Sequence, residues 1–147
     1  MFQISGPLDA ANQSILGLPL LNNYYAVFDR SLERVQISLA GHLPPVIAAA
    51  GRPAEVADIA PGLMIGVDAS VRRRTSTVDM PPGALLCLYT DGLIERREYP
   101  IDEGLARLCK AVIAEPPERA CASVMGALVG GDLAPDDIAL LVIRREP

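Results

Sequence analysis

Met80-Pro81-Pro82-Gly83-Ala84-Leu85-Leu86-Cys87-Leu88-Tyr89-Thr90-Asp91-Gly92-Leu93-Ile94-Glu95 is the stretch on which the fold turns. Met80-Pro81-Pro82-Gly83 reads as a turn, because neither proline can donate to a strand ladder. Ala84–Tyr89 is then a continuous apolar run of strand length, the pattern of a strand buried on both faces. Asp91 follows that strand at once, and Gly92 behind it permits a sharp turn. A second run, Ile138–Ile143, has the same character and is expected to be a final buried strand. Asp136 and Asp137 stand immediately before it.

If these two strands lie side by side and antiparallel, the end of one meets the beginning of the other. Asp91, Asp136 and Asp137 then converge on one edge of a sheet. Converging carboxylates repel unless a positive charge sits between them, and a hard divalent cation with oxygen ligands is the natural guest. Each feature alone is ordinary. Asp-Gly is a common turn dipeptide, and two acids before a strand make a polar boundary. The expectation rests on both occurring at strand ends that can meet.

Upstream, Tyr24–Phe28 and Val35–Ala40 read as two strands joined by Asp29–Glu33. Gly41-His42-Leu43-Pro44-Pro45 interrupts the second, Val46–Ala50 resumes it, and Gly51-Arg52-Pro53 is the next turn. Val56–Ala60 reads as a further short strand and Arg72–Val78 as a half-buried edge strand. Leu8–Leu16 has the length of two helical turns. Downstream, Leu105, Leu108, Cys109, Val112 and Ile113 recur at helical spacing, with Asp102 placed to cap and Pro116-Pro117 to end the helix. A second helix from about Glu118 places Ala122, Met125 and Val129 along one side until Gly130-Gly131. Strands outnumber helices, and the clear helices come together late. The pattern is α+β without a βαβ rhythm.

With 147 residues, half of them hydrophobic, and a mean hydropathy of +0.28, the chain is expected to form a single domain with its own core. A formal net charge of −5 argues against nucleic acid, whose affinity comes from basic side chains on phosphates. Arg72, Arg73 and Arg74 read as a solvated surface cluster. No apolar run is long enough to cross a bilayer, so no membrane insertion is expected. Cys87, Cys109 and Cys121 are an odd number without a close pair, which fits a reducing cytoplasm and buried, inert thiols. The lone His42 cannot build a histidine zinc site.

The block Met80–Glu95 resembles the "PGD-LLLYTDGLxE" signature of bacterial SpoIIE-type (RsbU-like) serine/threonine phosphatases, a branch of the metal-dependent PPM protein phosphatases. Three further stretches agree in order. Ala40-Gly41-His42-Leu43-Pro44-Pro45 resembles the family's "AGHPPP" turn, and Pro61-Gly62-Leu63-Met64-Ile65-Gly66-Val67 its "GxPLGL" segment. Asp136-Asp137-Ile138-Ala139-Leu140-Leu141-Val142 resembles its terminal "DDxTLLV" strand. The similarity covers residues 24 to 145. It implies an antiparallel β-sandwich flanked by helices, with two Mn²⁺ or Mg²⁺ ions at one edge. Asp91 and Asp136 map to metal ligands, while Gly92 and Asp137 support the site; His42 carries no ligand role.

The resemblance also implies further ligands in the family's first half, a "GGD-x-x-D" type block and an acidic residue followed by "GHG". Nothing in this sequence matches them, and Asp9 and Asp29 lack the flanking glycines. The expected fold is therefore a PPM-like one lacking its N-terminal part. The expected function is a metal-dependent phosphoserine or phosphothreonine protein phosphatase of a bacterial sigma-factor regulatory system, weak or inactive in this chain. Its substrate would be a phosphorylated signalling protein, often of the anti-anti-sigma STAS type. The alternative is a non-catalytic interaction module on the same fold, assembling with another chain or as a homodimer.

Overall fold

A computed structural model describes residues 23–96, 98–130 and 137–146. The Leu8–Leu16 helix reading, Gly131 and Asp136 lie outside the described residues. The chain forms two compact units. The first comprises the described residues up to Pro44 together with Asp58–Asp79, and the second Pro45–Ala57 together with those from Met80 onward.

The first unit is an antiparallel sheet of β1 (Asn23–Phe28), β2 (Arg34–Ala40) and β5 (Ser76–Asp79), with β2 in the centre. The strict alternation of β2 buries Val35, Ile37 and Leu39 on one face. The Asp29–Glu33 connection closes on itself, with the Asp29 carboxylate accepting the Glu33 N–H at 2.8 Å. As expected, β5 is a half-buried edge, but it begins at Ser76 rather than Arg72. The Arg73 guanidinium instead donates to the carbonyls of Leu63 and Met64, which ties that stretch to the Pro61–Val67 loop. Gly41 breaks β2 at φ +79°, and a Cβ there would overlap the Met64 side chain. Both constraints select glycine.

The second unit holds an antiparallel sheet in the order β4 (Glu55–Val56), β3 (Val46–Ala48), β6 (Leu85–Tyr89), β7 (Leu140–Arg144). Every residue of β6 is buried, because the strand is central and six apolar side chains in a row can face no water. The two helices, α1 (Ile101–Ala111) and α2 (Pro117–Leu128), pack on each other. The Ser123 hydroxyl clips them together by donating to the Ala111 carbonyl at 2.8 Å.

Several boundaries differ from the sequence reading. β4 covers Glu55–Val56, and Ala57 donates its N–H to the Pro45 carbonyl at 2.8 Å in the same register, where Pro45 has no N–H to return. Pro100 rather than Asp102 stands at the cap of α1, and Asp102 lies in its first turn. Val112 and Ile113 fall beyond the helix end, although Val112 is buried. α2 buries Ala120, Val124 and Leu128, while Met125 and Ala122 are exposed. That helix is apolar at most positions, so the stripe at i, i+4, i+8 was one of several that spacing allowed. β7 is not buried on both faces. It is half-buried throughout, because it stands at the sheet's edge with β6 as its one strand neighbour among the described residues.

Candidate functional site

The site grows from the junction of β6 and β7. These strands pair antiparallel, from Leu85 opposite Arg144 to Tyr89 opposite Leu140. The end of β6 therefore does meet the start of β7. One residue further, Thr90 donates its N–H to the Ala139 carbonyl at 3.0 Å. Its hydroxyl then works in both directions, accepting the Ala139 N–H at 2.8 Å and donating to the Asp137 carbonyl at 3.0 Å. Thr90 thus fastens the segment 137–139 beside the turn that carries Asp91.

Asp91 opens a single 3₁₀ turn, Asp91–Leu93. Its carbonyl accepts the N–H groups of Ile94 and Glu95 at 2.9 and 2.8 Å. Its carboxylate oxygen Oδ1 accepts the Gly92 N–H at 3.0 Å, which fixes the side-chain rotamer at the strand end. Gly92, Leu93 and Ile94 are buried, so the turn is anchored from below while Asp91 stays half-exposed. Two residues brace it. Arg96 donates to the carbonyls of Gly92 and Glu95 and, at 3.2 Å, to that of Leu128 at the end of α2. Gly104 of α1 rests so close to the Ile94 carbonyl oxygen that any Cβ would collide with backbone.

Thus Asp91 and Asp137 stand on neighbouring segments at one sheet edge, and Gly92 holds the Asp91 side chain. Asp136 lies outside the described residues. His42 sits in the first unit, edge-on to the Tyr24 ring with centroids 4.8 Å apart, and its Nδ1 meets the Leu43 carbonyl at 2.8 Å. Sequence reasoning missed Thr90, Arg96 and Gly104. The visible signal for Thr90 was a hydroxyl at the end of an otherwise apolar strand; Arg96 and Gly104 act through contacts distant in sequence.

The carboxylates are hard oxygen donors, the kind that Mg²⁺ and Mn²⁺ take. The donor set fits such an ion in kind but not in number. Among the described residues no group of three or more His, Cys, Asp or Glu is gathered tightly enough to hold a metal.

Of the three thiols expected to be buried, Cys87 is, whereas Cys109 and Cys121 are half-buried. Burial pushes Cys87 up to about 12, with neighbouring Cys121 and Cys109 adding to the effect. Partial burial also raises Cys109, and burial raises the Tyr89 hydroxyl. A thiol held neutral is inert. Cys87 should therefore resist iodoacetamide at pH 8 in the native chain and react once urea unfolds it. The sign for stability follows. In the unfolded chain Cys87 loses its proton from about pH 9, whereas the folded chain retains it until about pH 12. The stabilisation is complete below pH 9 and is lost as pH rises through that window. A urea midpoint lower at pH 10.5 than at pH 8 is the expected result.

No helix among the described residues is long and apolar enough to cross a membrane. No curated protein sequence matches the chain. Among solved structures, the RsbU and RsbW domains of Rv1364c from Mycobacterium tuberculosis match with a TM-score of 0.72 at 26% identity, over 84% of this chain and 36% of that one. The phosphatase domain of SpoIIE from Bacillus subtilis, presoaked with manganese, matches at 0.59 and 16% identity, over 85% of this chain and 56% of that one. A second Bacillus subtilis SpoIIE structure, the PP2C phosphatase domain with a fragment of the regulatory domain, gives 0.60 at 20% identity, over 82% and 37%. These two show the fold: antiparallel sheets with helices, of which the chain spans only part of each matched structure. The family model described as stage II sporulation protein E (SpoIIE) matches residues 11–146, and the chain belongs to that family.

Proposed function

We infer that residues 1–147 form part of a metal-dependent protein phosphatase domain that acts on phosphoserine or phosphothreonine. The observation that carries this reading is the Thr90 fastening, which brings the Asp91 turn beside the acidic segment leading into β7. In a member of the SpoIIE family, we read a strand-end carboxylate braced so thoroughly as a ligand position. Asp91 and Asp136 would hold the divalent cations, Mn²⁺ or Mg²⁺, while Asp137 and Gly92 support them. Bound cations supply a deprotonated water at neutral pH and neutralise charge on phosphoryl oxygens. The chain's own part is positional. The Gly92 N–H holds one Asp91 oxygen in place, and Arg96 keeps the turn from unwinding.

The substrate in this reading is a phosphorylated signalling protein, such as an anti-anti-sigma STAS-type protein in a cytoplasmic stress-response switch. The Mycobacterium tuberculosis relative, which joins RsbU and RsbW domains, supports that setting. A carboxylate set this small encloses a cation loosely, so the 147-residue chain alone is expected to turn over weakly or not at all. The short count of donors among the described residues also favours a second reading, a non-catalytic interaction module on the same fold.

One comparison separates the two. Phosphate release from a phosphoserine protein is followed with and without Mn²⁺, for the natural chain and for Asp91→Ala. Manganese-dependent release that disappears in Asp91→Ala supports the enzyme. No release and no Mn²⁺ binding at millimolar metal sink it in favour of the interaction module.

A further inference from the structure

We propose that Arg96 couples the C-terminal end of α2 to the Asp91 carboxylate, so that a displacement of that helix end is transmitted to the candidate site. The guanidinium is a rigid plane, and two of its nitrogens reach different elements. Nη1 donates to the Gly92 carbonyl at 2.7 Å and to that of Glu95 at 3.1 Å, in and just after the Asp91 turn. Nη2 donates to the Leu128 carbonyl at 3.2 Å. One planar group therefore fixes the turn relative to the helix. From Gly92 the link runs on to the acid, because the same residue's N–H holds Asp91 Oδ1 at 3.0 Å. The inference rests on the phosphatase reading only for what Asp91 does. The coupling itself is a property of the chain without metal.

The helix end suits such a donor. Leu128 is the last residue of α2, and the final carbonyls of a helix have no N–H partner within it. The helix dipole adds partial negative charge there, which favours a cation. The stop is sharply defined: Val129 and Gly130 both donate their N–H groups to the Met125 carbonyl, at 3.0 and 3.1 Å, and Gly130 sits at φ +57°. On the other side, the bonds of Arg96 to the turn end on carbonyls and not on a carboxylate. They position Asp91 without consuming its charge.

The contact with α1 cannot do the same work. Gly104 rests against the Ile94 carbonyl, and the Ser123 hydroxyl joins α2 to the end of α1. The turn thus meets α1 by close packing and α2 by a hydrogen-bonded fork. Packing resists compression, whereas hydrogen bonds also resist separation and hold a direction. A helix end that withdraws or rotates therefore acts on the turn through Arg96.

Amide exchange on the 147-residue chain without metal tests this with four sequences: the natural one, Gly130→Val, Arg96→Gln and the two combined. A β-branched residue at φ +57° strains the end of α2, and the Val129 amide should exchange faster. Through Arg96, the Ile94 and Glu95 amides, which bond the Asp91 carbonyl, should also quicken by about tenfold, while the β6–β7 ladder keeps its rate. With Arg96→Gln those two amides are already fast, and adding Gly130→Val should change them by less than about twofold. Arg96→Lys keeps the charge but has a single nitrogen, so it should match the glutamine variant, and it takes that variant's place if the glutamine chain does not fold. Val129→Pro removes the N–H to Met125 outright and takes the place of Gly130→Val if the valine leaves the helix end intact. Equal quickening of Ile94 and Glu95 with and without Arg96 overturns the proposal, and so does a loosened helix end that leaves them unchanged. Either result leaves the phosphatase reading to the turnover and Mn²⁺-binding assays, and a chain that fails those assays leaves the coupling to be decided by exchange.

Discussion

Leu85→Ala is expected to lower the unfolding free energy by about 2–5 kcal/mol, whereas Leu140→Ala, on the neighbouring strand, should cost far less. Leu85 is fully buried in the central strand, between Ala48 of β3 and Arg144 of β7. It shares a face of β6 with Cys87 and Tyr89, the face toward which Cys109 and Cys121 of the two helices lie. Truncation there removes buried methyl groups and leaves a cavity whose walls are held by a sheet on both flanks. Leu140 belongs to the same sheet face but stands in the half-buried edge strand. Its replacement exposes little new apolar surface, and the edge can relax. Urea midpoints measure the contrast, with the slope of the transition unchanged if both variants still unfold from the same native state. Equal costs at the two positions would mean that β7 is as enclosed as β6.

The same contrast marks how far the sequence could be read. Ala84–Tyr89 announced itself because six apolar residues in succession leave no side free for water. The antiparallel meeting of β6 and β7 followed from two such runs with acids at the ends that would adjoin. Ile138–Ile143 has an equally apolar pattern, yet among the described residues its strand has β6 as its one strand neighbour. Composition reports what a strand tolerates, not which neighbours it receives. α2 failed to show its buried face for a related reason: Ala120, Cys121, Val124, Met125 and Leu128 offer several apolar stripes, and only packing chooses among them. Arg72–Thr75 looked like strand by alternation, but the Arg73 guanidinium found two carbonyls in a loop ten and nine residues earlier. Of the candidate site, Asp91 and Gly92 were legible from their place after a buried strand. The residues that hold them in register were not, since a hydroxyl or guanidinium that bonds across 47 or 32 residues leaves no local pattern.

Thr90 is where that hidden layer can be tested. Thr90→Val keeps the shape and β-branching of the side chain while removing both hydroxyl bonds to the 137–139 segment. The backbone bond from residue 90 to the Ala139 carbonyl survives, so the strands stay paired while their ends loosen. Water reaches these groups, and a typical net worth of about 1 kcal/mol for each bond puts the expected loss at about 1–2 kcal/mol. Thr90→Ser retains the hydroxyl and should recover most of it. The Ala139 amide reports the effect locally: it should exchange faster in the valine variant and near the natural rate in the serine variant. If Asp91 and the acids before β7 share a cation, loosening their common anchor should also weaken Mn²⁺ binding by up to about tenfold, the equivalent of 1.4 kcal/mol. Faster exchange at Ala139 without any change in Mn²⁺ affinity would separate the two roles. It would leave Thr90 as a strand-end latch and remove the coupling on which a shared metal site at this edge depends.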